Sequence, residues 1–295
     1  MDDLNINWFP GHMTKALRMM RANLKLVDVV IELLDARIPA SSANPVMNEL
    51  LEGKPRVVAL NKADLADPEW TKKWINHFSA QGLQVVALDS MTGRGTKALV
   101  NQVEQLGAAK AGKLVAKGAN ARAVRAMILG IPNVGKSSLI NKLKGVHVAN
   151  TADKPGVTRG KQWIKIGSNL ELLDTPGVLW PKFEDREVGF RLAITGAIRE
   201  DIYDLEKVMV HMLKLLREQY SERLVERYNL TLPLPEDPME LLGLIGKRRG
   251  CLRSGGLIDE DKTRRLILRE FRDTKLGNFT LDRPGEKDDG IKGKE

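Results

Sequence analysis

The sequence predicts an α/β protein in which a doubly wound, mostly parallel β-sheet is followed by a small domain made only of helices. Three observations support this prediction. Short apolar runs at 29–34, 57–60 and 85–88 each end in a polar residue and alternate with helical patterns, as in βαβ units. A second strand–loop–helix series begins near residue 123. Beyond residue 180 the patterns are helical only.

The first expected element is an amphipathic helix over residues 12–26. Its apolar side is formed by residues at helical spacing, namely Leu17, Met20, Leu24 and Val27. Lysines and arginines line the neighbouring side. A basic side of this kind suits either a solvated surface or a contact with RNA, and the pattern leaves both open.

Helices and strands alternate after this first helix. The expected helices lie around 46–51, 68–81 and 95–106, and the remaining strands at 126–129, 162–166 and 170–173. Between the two series, residues 108–121 are rich in Ala, Gly and Lys and are expected to form a connector. This connector is either a solvated linker or a mobile contact for RNA.

Three segments are predicted along the chain. Residues 1–180 form the sheet domain together with the amphipathic helix, and residues 181–281 form the helical C-terminal domain, with breaks at 233–238 and 253–256. The charged, glycine-rich residues 282–295 are expected to be a disordered tail.

Composition narrows the functional class. The 295 residues include 47 Lys and Arg against 38 Asp and Glu, and the formal net charge of +9 favours a polyanionic partner such as nucleic acid. The single cysteine, Cys251, excludes an intrachain disulfide and suits a reducing compartment. No apolar run approaches the roughly 18 residues of a membrane span, and the N-terminus lacks a signal-peptide pattern. We therefore expect a cytoplasmic protein without a membrane partner.

A phosphate-binding loop is predicted at 130–138, where GIPNVGKSS follows an apolar strand and precedes a helix. Backbone N–H groups of such a loop, which includes Val134, Gly135 and Ser138, wrap phosphates at a helix N-terminus. Lys136 would reach the β- and γ-phosphates, and the Ser137 hydroxyl would bind Mg²⁺.

A guanine-binding motif is predicted at 61–64, where NKAD follows an apolar run. The Asp64 carboxylate can accept two hydrogen bonds from guanine, a donor pair that adenine lacks. Asn61 can bind the other edge of the base, and the stem of Lys62 can cover one face. Backbone donors of Ser90 and Met91 are expected to complete the pocket. An ATPase would require NKAD to be accidental.

Two further motifs are expected to sense the γ-phosphate. DTPG at 174–177 follows a strand, so Asp174 can hold Mg²⁺ through a water, and the Gly177 N–H can contact the phosphate. In the KPGVTRG segment, Thr158 is the candidate switch threonine, which binds Mg²⁺ only in the triphosphate state. A plain glycine-containing loop is the alternative.

The order of the motifs is inverted, because an ordinary GTPase has its phosphate loop before its guanine motif. Every motif follows a strand, and ligands of doubly wound sheets bind at the carboxyl ends of strands. Cutting and rejoining the chain elsewhere leaves those ends together. The sequence therefore predicts a circularly permuted P-loop GTPase domain with GTP as substrate.

This order, with WFPGHMTKALR at 8–18 and DARIP at 35–39, resembles the ribosome biogenesis GTPase A (RbgA/YlqF) family over nearly the whole chain. The resemblance implies a GTPase that acts late in assembly of the bacterial large (50S) ribosomal subunit, with hydrolysis stimulated by the particle. Implied partners are the subunit precursor, rRNA and ribosomal proteins, and a monomer is the default off the ribosome. The alternative is a GTP-controlled RNA-binding switch for another partner, with incidental hydrolysis.

The resemblance also implies two roles at the site. Val178 follows DTPG, where Ras-like enzymes place a water-orienting glutamine, and the family's substitute is the histidine of the opening motif, here His12. His12 could instead cap or pack the first helix. Asn133 resembles the asparagine of potassium-dependent GTPases, so K⁺ is expected beside the phosphates; a turn-forming role is the alternative.

The family uses its helical C-terminal domain to bind rRNA. The candidate basic residues here are Lys247, Arg248, Arg249, Arg253, Arg264, Arg265, Arg269 and Arg272. Solvated helix faces are the alternative interpretation.

Overall fold

The computed structural model describes residues 18–51, 53–115, 122–145, 163–175 and 185–285. The described residues form two compact units. One comprises 185–279, and the other comprises 18–175 together with 280–285. The predicted boundary after residue 180 falls outside the described residues.

The larger unit is built on one six-stranded sheet. Its strands are β1 (Val29–Asp35), β2 (Arg56–Asn61), β3 (Gln84–Ala87), β4 (Val124–Leu129), β5 (Trp163–Ile166) and β6 (Leu170–Leu173). Their order is β3-β2-β1-β4-β6-β5, and every neighbouring pair is parallel except β5 with β6. The predicted doubly wound, mostly parallel sheet is confirmed, with strands close to their expected positions.

The central strands explain why the sequence shows unalternating apolar runs. All residues of β1 and β2 are buried, so both faces of these strands are covered by helices. The parallel register pairs Leu34 with Leu60 and Asp35 with Asn61. The polar ends of the two strands therefore lie side by side at the carboxyl edge of the sheet.

The helices of this unit follow the predicted alternation. They are α1 (helical residues 18–24), α2 (Pro39–Ser42), α3 (Pro45–Leu50), α4 (Pro68–Ala80), α5 (Thr96–Val115) and α6 (Lys136–Lys144). In α1, Met20 and Leu24 are buried in a cluster with Met127 and Leu173, while Arg18 and Arg21 are exposed. This agrees with the amphipathic pattern over its described part; residues 12–17 lie outside the described residues.

Helix α4 shows how local sequence sets an element. Asp67 caps its N-terminus, because the carboxylate accepts hydrogen bonds from the backbone N–H groups of Glu69 and Trp70. Trp74 and Phe78, four residues apart, are fully buried in a cluster with strand residues of β1 and β2. The helix is thereby fixed beside the carboxyl ends of these strands.

The expected connector over 108–121 is wrong in its first half. Helix α5 continues to Val115, since Ala, Lys and Leu are good helix formers and outweigh the scattered glycines. Gly107 has a packing reason, because a Cβ there would lie 2.2 Å from Cγ1 of Val124. Residues 116–121 lie outside the described residues.

The described part of the smaller unit is helical, with α7 (Arg186–Thr195), α8 (Leu205–Tyr228), α9 (Pro238–Arg248) and α10 (Glu260–Arg272), short 3₁₀ turns and one isolated β-bridge between Leu252 and Ile258. The expected breaks separate α8 from α9 and α9 from α10. Helices α8, α9 and α10 meet at Glu270, which is 2% exposed and accepts hydrogen bonds from Arg227 at 2.7 Å and Arg249 at 2.8 Å. These pairs lower the pKa of Glu270 although burial opposes that change.

Two arginines expected on a solvated or RNA-facing surface have structural partners instead. Arg264 is 9% exposed and pairs with Glu260 at 2.6 Å. Arg272 donates to the backbone oxygens of Ala193 and Ile194. Charge patterning alone does not distinguish such intramolecular arginines from surface ones.

The residues after the helical unit return to the sheet unit, and we call residues 280–283 the C-terminal strap. The Leu281 N–H donates to the Arg37 carbonyl at 2.7 Å. The Asp282 carboxylate accepts from the N–H and the hydroxyl of Ser41 at 2.7 and 2.8 Å. The expectation that the disordered tail starts at residue 282 is therefore wrong, because these polar side chains find buried partners.

None of the helices in the described ranges has the length and apolar character needed to cross a lipid bilayer.

Candidate functional site

The phosphate-binding loop joins β4 to α6, and its backbone shape requires glycine at two positions. Gly135 has a φ of +104°, and a Cβ there would lie 2.3 Å from Nδ2 of Asn61. At Gly130 a Cβ would lie 2.6 Å from the carbonyl oxygen of Leu33. Asn133 is exposed and also has a positive φ, of 56°. The loop is thus held close to β1 and β2, with its turns open to solvent.

Lys136 lies at the start of α6, and its ammonium folds back into the loop. Nζ donates to the backbone oxygens of Gly130 at 3.1 Å and Ile131 at 2.8 Å. Burial lowers the pKa of Lys136 to about 8, against the attraction of Asp174. This ammonium is poorly compensated by charge, so an incoming phosphate group would stabilise its protonated form.

Asn61 joins the guanine motif to the phosphate loop. Its Nδ2 donates to the Val134 carbonyl at 2.7 Å, and its Oδ1 accepts from the Ser90 N–H at 3.1 Å. The side chain is fully buried. One residue therefore ties together three segments that are far apart in sequence, and the structure brings NKAD, the Ser90 loop and GIPNVGKSS to one edge of the sheet.

Lys62 belongs to a buried charge network that the sequence analysis did not assign. It has a φ of +59°, and its Nζ lies 3.0 Å from Oδ2 of Asp35. Arg37 holds the same carboxylate through two hydrogen bonds, of 2.9 and 2.7 Å. Burial alone would raise the pKa of Asp35, but Arg37 and Lys62 hold it well below its ordinary value. The available signal was an acidic residue at the end of an apolar strand, two residues before an arginine.

Asp89 shapes the loop that follows β3. Its carboxylate accepts from the N–H groups of Met91 and Thr92 at 2.8 and 3.2 Å, and from the Thr92 hydroxyl. Burial would raise the pKa of Asp89, but these hydrogen bonds lower it. The Ser90 and Met91 N–H groups are thus both engaged within the protein. That they complete the base pocket as donors stays a prediction, which would require them to exchange these acceptors for the base.

Asp64 is exposed, three residues after the end of β2. Partial desolvation and the nearby charge of Asp89 raise its pKa. Its carboxylate therefore sits where a hydrogen-bonded partner, such as the N1–H and amino group of guanine, would stabilise the charged form.

Ser137 and Asp174 supply oxygen atoms of the kind that Mg²⁺ prefers. Both are exposed, Ser137 in the first turn of α6 and Asp174 directly after β6. The Thr175 hydroxyl donates to the carbonyl of Ile128, which ties the ends of β6 and β4 together. Over the described ranges no group of three or more His, Cys, Asp or Glu forms a metal cluster. A hydroxyl and a carboxylate beside bound phosphates suit Mg²⁺ without such a cluster.

Three predicted site residues, His12, Thr158 and Gly177, lie outside the described residues. Ser138 follows Ser137 in α6 and is half-buried. The remaining predicted residues lie at the carboxyl ends of parallel strands, in the loops that follow them or in the first turn of α6, as the doubly wound fold requires.

Fold and site together define a GTPase with permuted motif order. A sequence model of the family described as "50S ribosome-binding GTPase" matches residues 125–234. This match begins in β4, immediately before the phosphate loop, and leaves NKAD ahead of it, as a permuted order requires.

Full-length relatives identify the family. Ribosome biogenesis GTPase A of Priestia megaterium is 52% identical, with 96% of this chain and 98% of that protein covered. The protein of that name from Thermotoga maritima is 30% identical over 95% of each chain. The GNP-bound crystal structure of YlqF from T. maritima has a TM-score of 0.65 at 26% identity, covering 92% of this chain and 100% of that one. The chain belongs to the ribosome biogenesis GTPase A family, and it is a GTPase with GTP as its substrate.

Proposed function

We propose that this GTPase acts late in maturation of the bacterial large (50S) ribosomal subunit and hydrolyses GTP in response to binding the particle. Binding of GTP at this site is supported by the hydrogen bonds of Asn61 to Val134 and Ser90, because they connect the base motif to the phosphate loop. The names of the relatives support the ribosomal part. The site of action is the cytoplasm, and the protein is a monomer off the ribosome.

We assign the base contacts to the guanine motif. Asp64 accepts from the guanine N1–H and amino group, Lys62 covers one face of the base, and Asn61 holds the pocket against the phosphate loop. The backbone N–H groups of Ser90 and Met91 complete the pocket when the base is bound. A guanine-to-adenine change leaves the Asp64 carboxylate without its donor pair, which costs selectivity of several orders of magnitude when both partners are buried.

The phosphate contacts fall to the loop at 130–138. Its backbone N–H groups around Val134 and Gly135 face the β-phosphate, and Lys136 leaves its two carbonyl partners for the β- and γ-phosphates. Ser137 and Asp174, with Thr158, would hold Mg²⁺, which when bound neutralises charge on the transferred phosphoryl group.

Hydrolysis needs a group that orients water, and Val178 cannot serve because its side chain is apolar. We propose that His12 orients the attacking water once the ribosomal particle fixes its segment. His12→Ala should then lose the particle-stimulated rate and keep the basal rate. Full stimulation in that variant would contradict the assignment.

A potassium ion beside Asn133 would supply positive charge at the phosphates. The exposed position and left-handed backbone of Asn133 support this proposal. Turnover should be faster in KCl than in NaCl, and Asn133→Ala should remove the difference. Equal turnover of the unaltered protein in both salts would count against K⁺.

The helical unit offers a basic surface for rRNA. A cavity of about 820 Å³ in this unit is lined by more basic than acidic side chains. The basic ones are Arg253, Lys262, Arg265 and Arg269, together with Arg249 and Arg272, which the intramolecular partners described above already hold; the acidic ones are Glu200, Asp259, Asp261 and Asp273. Next to this set, Lys247 and Arg248 are exposed at the end of α9. Such a surface attracts phosphates in a salt-dependent manner.

The decisive experiment measures GTP hydrolysis with and without purified 50S particles, in potassium buffer, and sedimentation with the particles in a non-hydrolysable GTP analogue. The proposal predicts stimulation by the particle and co-sedimentation in the analogue. Lys136→Ala, which removes the phosphate contact, is the control. A protein that neither sediments with the particle nor responds to it would instead be a switch for another RNA partner.

A further inference from the structure

Lys62 of the guanine motif belongs to a buried charge network with Asp35 and Arg37. Oδ2 of Asp35 accepts hydrogen bonds from both Lys62 and Arg37, and Oδ1 accepts a second one from Arg37, which is 3% exposed. Lys62 joins the network through its side-chain nitrogen, 3.0 Å from Oδ2 of Asp35. The position of its aliphatic stem therefore depends on where the Asp35 carboxylate and the Arg37 guanidinium are held.

The turn that carries Arg37 is held locally by hydrogen bonds to Asp35, and from a distance by the C-terminal strap. Ser41 of the turn and Asp282 of the strap are 241 residues apart in sequence. Leu281 donates to the Arg37 carbonyl, and the 1%-exposed Asp282 carboxylate takes both donors of Ser41. The strap is itself held from α4, because the Trp74 indole N–H donates to the Asp282 carbonyl at 3.4 Å. The strap therefore connects the 37–41 turn to α4.

The geometry points to Asp282 as a positioning residue for guanine binding: it holds the 37–41 turn, and through Arg37 and Asp35 it keeps Lys62 where the base is received. This inference rests on the proposed assignment of residues 61–64 to guanine. In this proposal Asp282 acts on guanine binding through the turn and not by contact with the nucleotide.

Loss of the Asp282 carboxylate would leave the N–H and hydroxyl of Ser41 without their acceptor in a buried place. The turn can then adopt other conformations, and Lys62 is in the position that binds the base for only part of the time. Apparent affinity falls by that fraction. The base is common to GDP and GTP, so both affinities fall equally, whereas the rate at saturating GTP stays unchanged because no group at the phosphates has moved.

Asp28 provides a matched control. It is 2% exposed and likewise accepts a backbone N–H, that of Arg125 at 3.0 Å, together with the side chain of Arg122. It lies just before β1, at the amino edge of the sheet, far along the strand from the guanine motif. Asp28→Ala should therefore lower the melting temperature as Asp282→Ala does, without reaching the nucleotide.

The test measures fluorescent GDP and GTP-analogue binding, kcat, KM and the melting temperature of full-length variants. Asp282→Ala should weaken both nucleotides by about tenfold, with KM raised in parallel and kcat within about twofold, if Lys62 is in place about a tenth of the time. Asp28→Ala should change neither affinity. Asp282→Asn should regain most of the affinity, because its amide oxygen still accepts the Ser41 N–H.

Equal affinities in Asp282→Ala and Asp28→Ala would overturn the inference. Where Asp282→Ala does not fold, Ser41→Ala removes one of the two hydrogen bonds and should give a smaller shift in the same direction; no shift there overturns it as well. Asp64→Ala distinguishes failure of the guanine assignment from failure of the positioning role of Asp282. If Asp64→Ala binds GDP normally, the guanine assignment fails; if it does not, and Asp282→Ala does, only the positioning role fails.

Discussion

Adding one methyl group at position 135 tests whether the guanine motif and the phosphate loop depend on each other. In Gly135→Ala the new Cβ would lie 2.3 Å from Nδ2 of Asn61, which must move. Asn61 would then release the Val134 carbonyl and the Ser90 N–H, which it holds at 2.7 and 3.1 Å.

Two costs add in this variant. A non-glycine residue at a φ of +104° costs about 1–2 kcal/mol in backbone strain. Each buried polar group that loses its partner costs about 1–3 kcal/mol. Gly135→Ala should therefore lower the free energy of unfolding by roughly 3–5 kcal/mol, allowing for partial relaxation.

Gly82→Ala is the control, because Gly82 has a φ of +76° with nothing within 4 Å of an added Cβ. It should lose only the strain of about 1–2 kcal/mol and bind GDP normally. Urea unfolding and fluorescent-GDP titration of both variants make the comparison. The reasoning is refuted if the two variants lose equal stability and bind GDP equally well.

Three further outcomes are expected. Burial lowers the pKa of Lys136 to about 8, so GDP binding above that pH should take up a proton, and GDP affinity should fall as the pH rises towards 9. Calorimetry in two buffers of different ionisation enthalpy measures the proton uptake. Binding without proton uptake would contradict the role of Lys136. Glu270→Gln should cost about 2–3 kcal/mol of stability at pH 7, whereas the half-exposed Glu260→Gln should cost under about 1 kcal/mol. Because the pKa of Glu270 is lowered by folding, Glu270 contributes to stability above its ordinary pKa, and this stability is lost as the pH falls through the lowered pKa. The stability of Glu270→Gln, measured by urea unfolding, should therefore depend less on acid pH. Replacing Lys247 and Arg248 by alanine should reduce the salt slope of rRNA binding by about 1 per residue that contacts a phosphate, and an unchanged slope would remove both from the surface.

The sheet and its site edge could be predicted because they follow from local patterns. Buried parallel strands need continuous apolar runs, and each run here ends in the polar residue that the carboxyl edge uses, as at Asp35 and Asn61. The phosphate loop needs glycine at Gly135 for a backbone reason that is independent of the rest of the chain. Such features remain readable even when the order of the motifs is permuted.

The strap and the charge network could not be predicted because they depend on pairs that are distant in sequence. Asp282 sits in a polar, glycine-rich context that is typical of a tail, and only the turn at Ser41 gives it a partner. Arg264 likewise has the same local pattern as exposed arginines of α10, yet Glu206 and Glu260 pair with it. The sequence shows where the charged residues are, but tertiary packing determines which of them form ion pairs.

The most direct test of one guanosine nucleotide held by two distant motifs is the base preference of Asp64→Asn. An amide at position 64 offers one acceptor and one donor, which match the N1–H and O2 of xanthine instead of the two donors of guanine. Hydrolysis by this variant, measured with GTP and XTP in competition, should switch to XTP and should still require Lys136. A variant that keeps its preference for GTP, or that hydrolyses XTP without Lys136, would contradict a shared site.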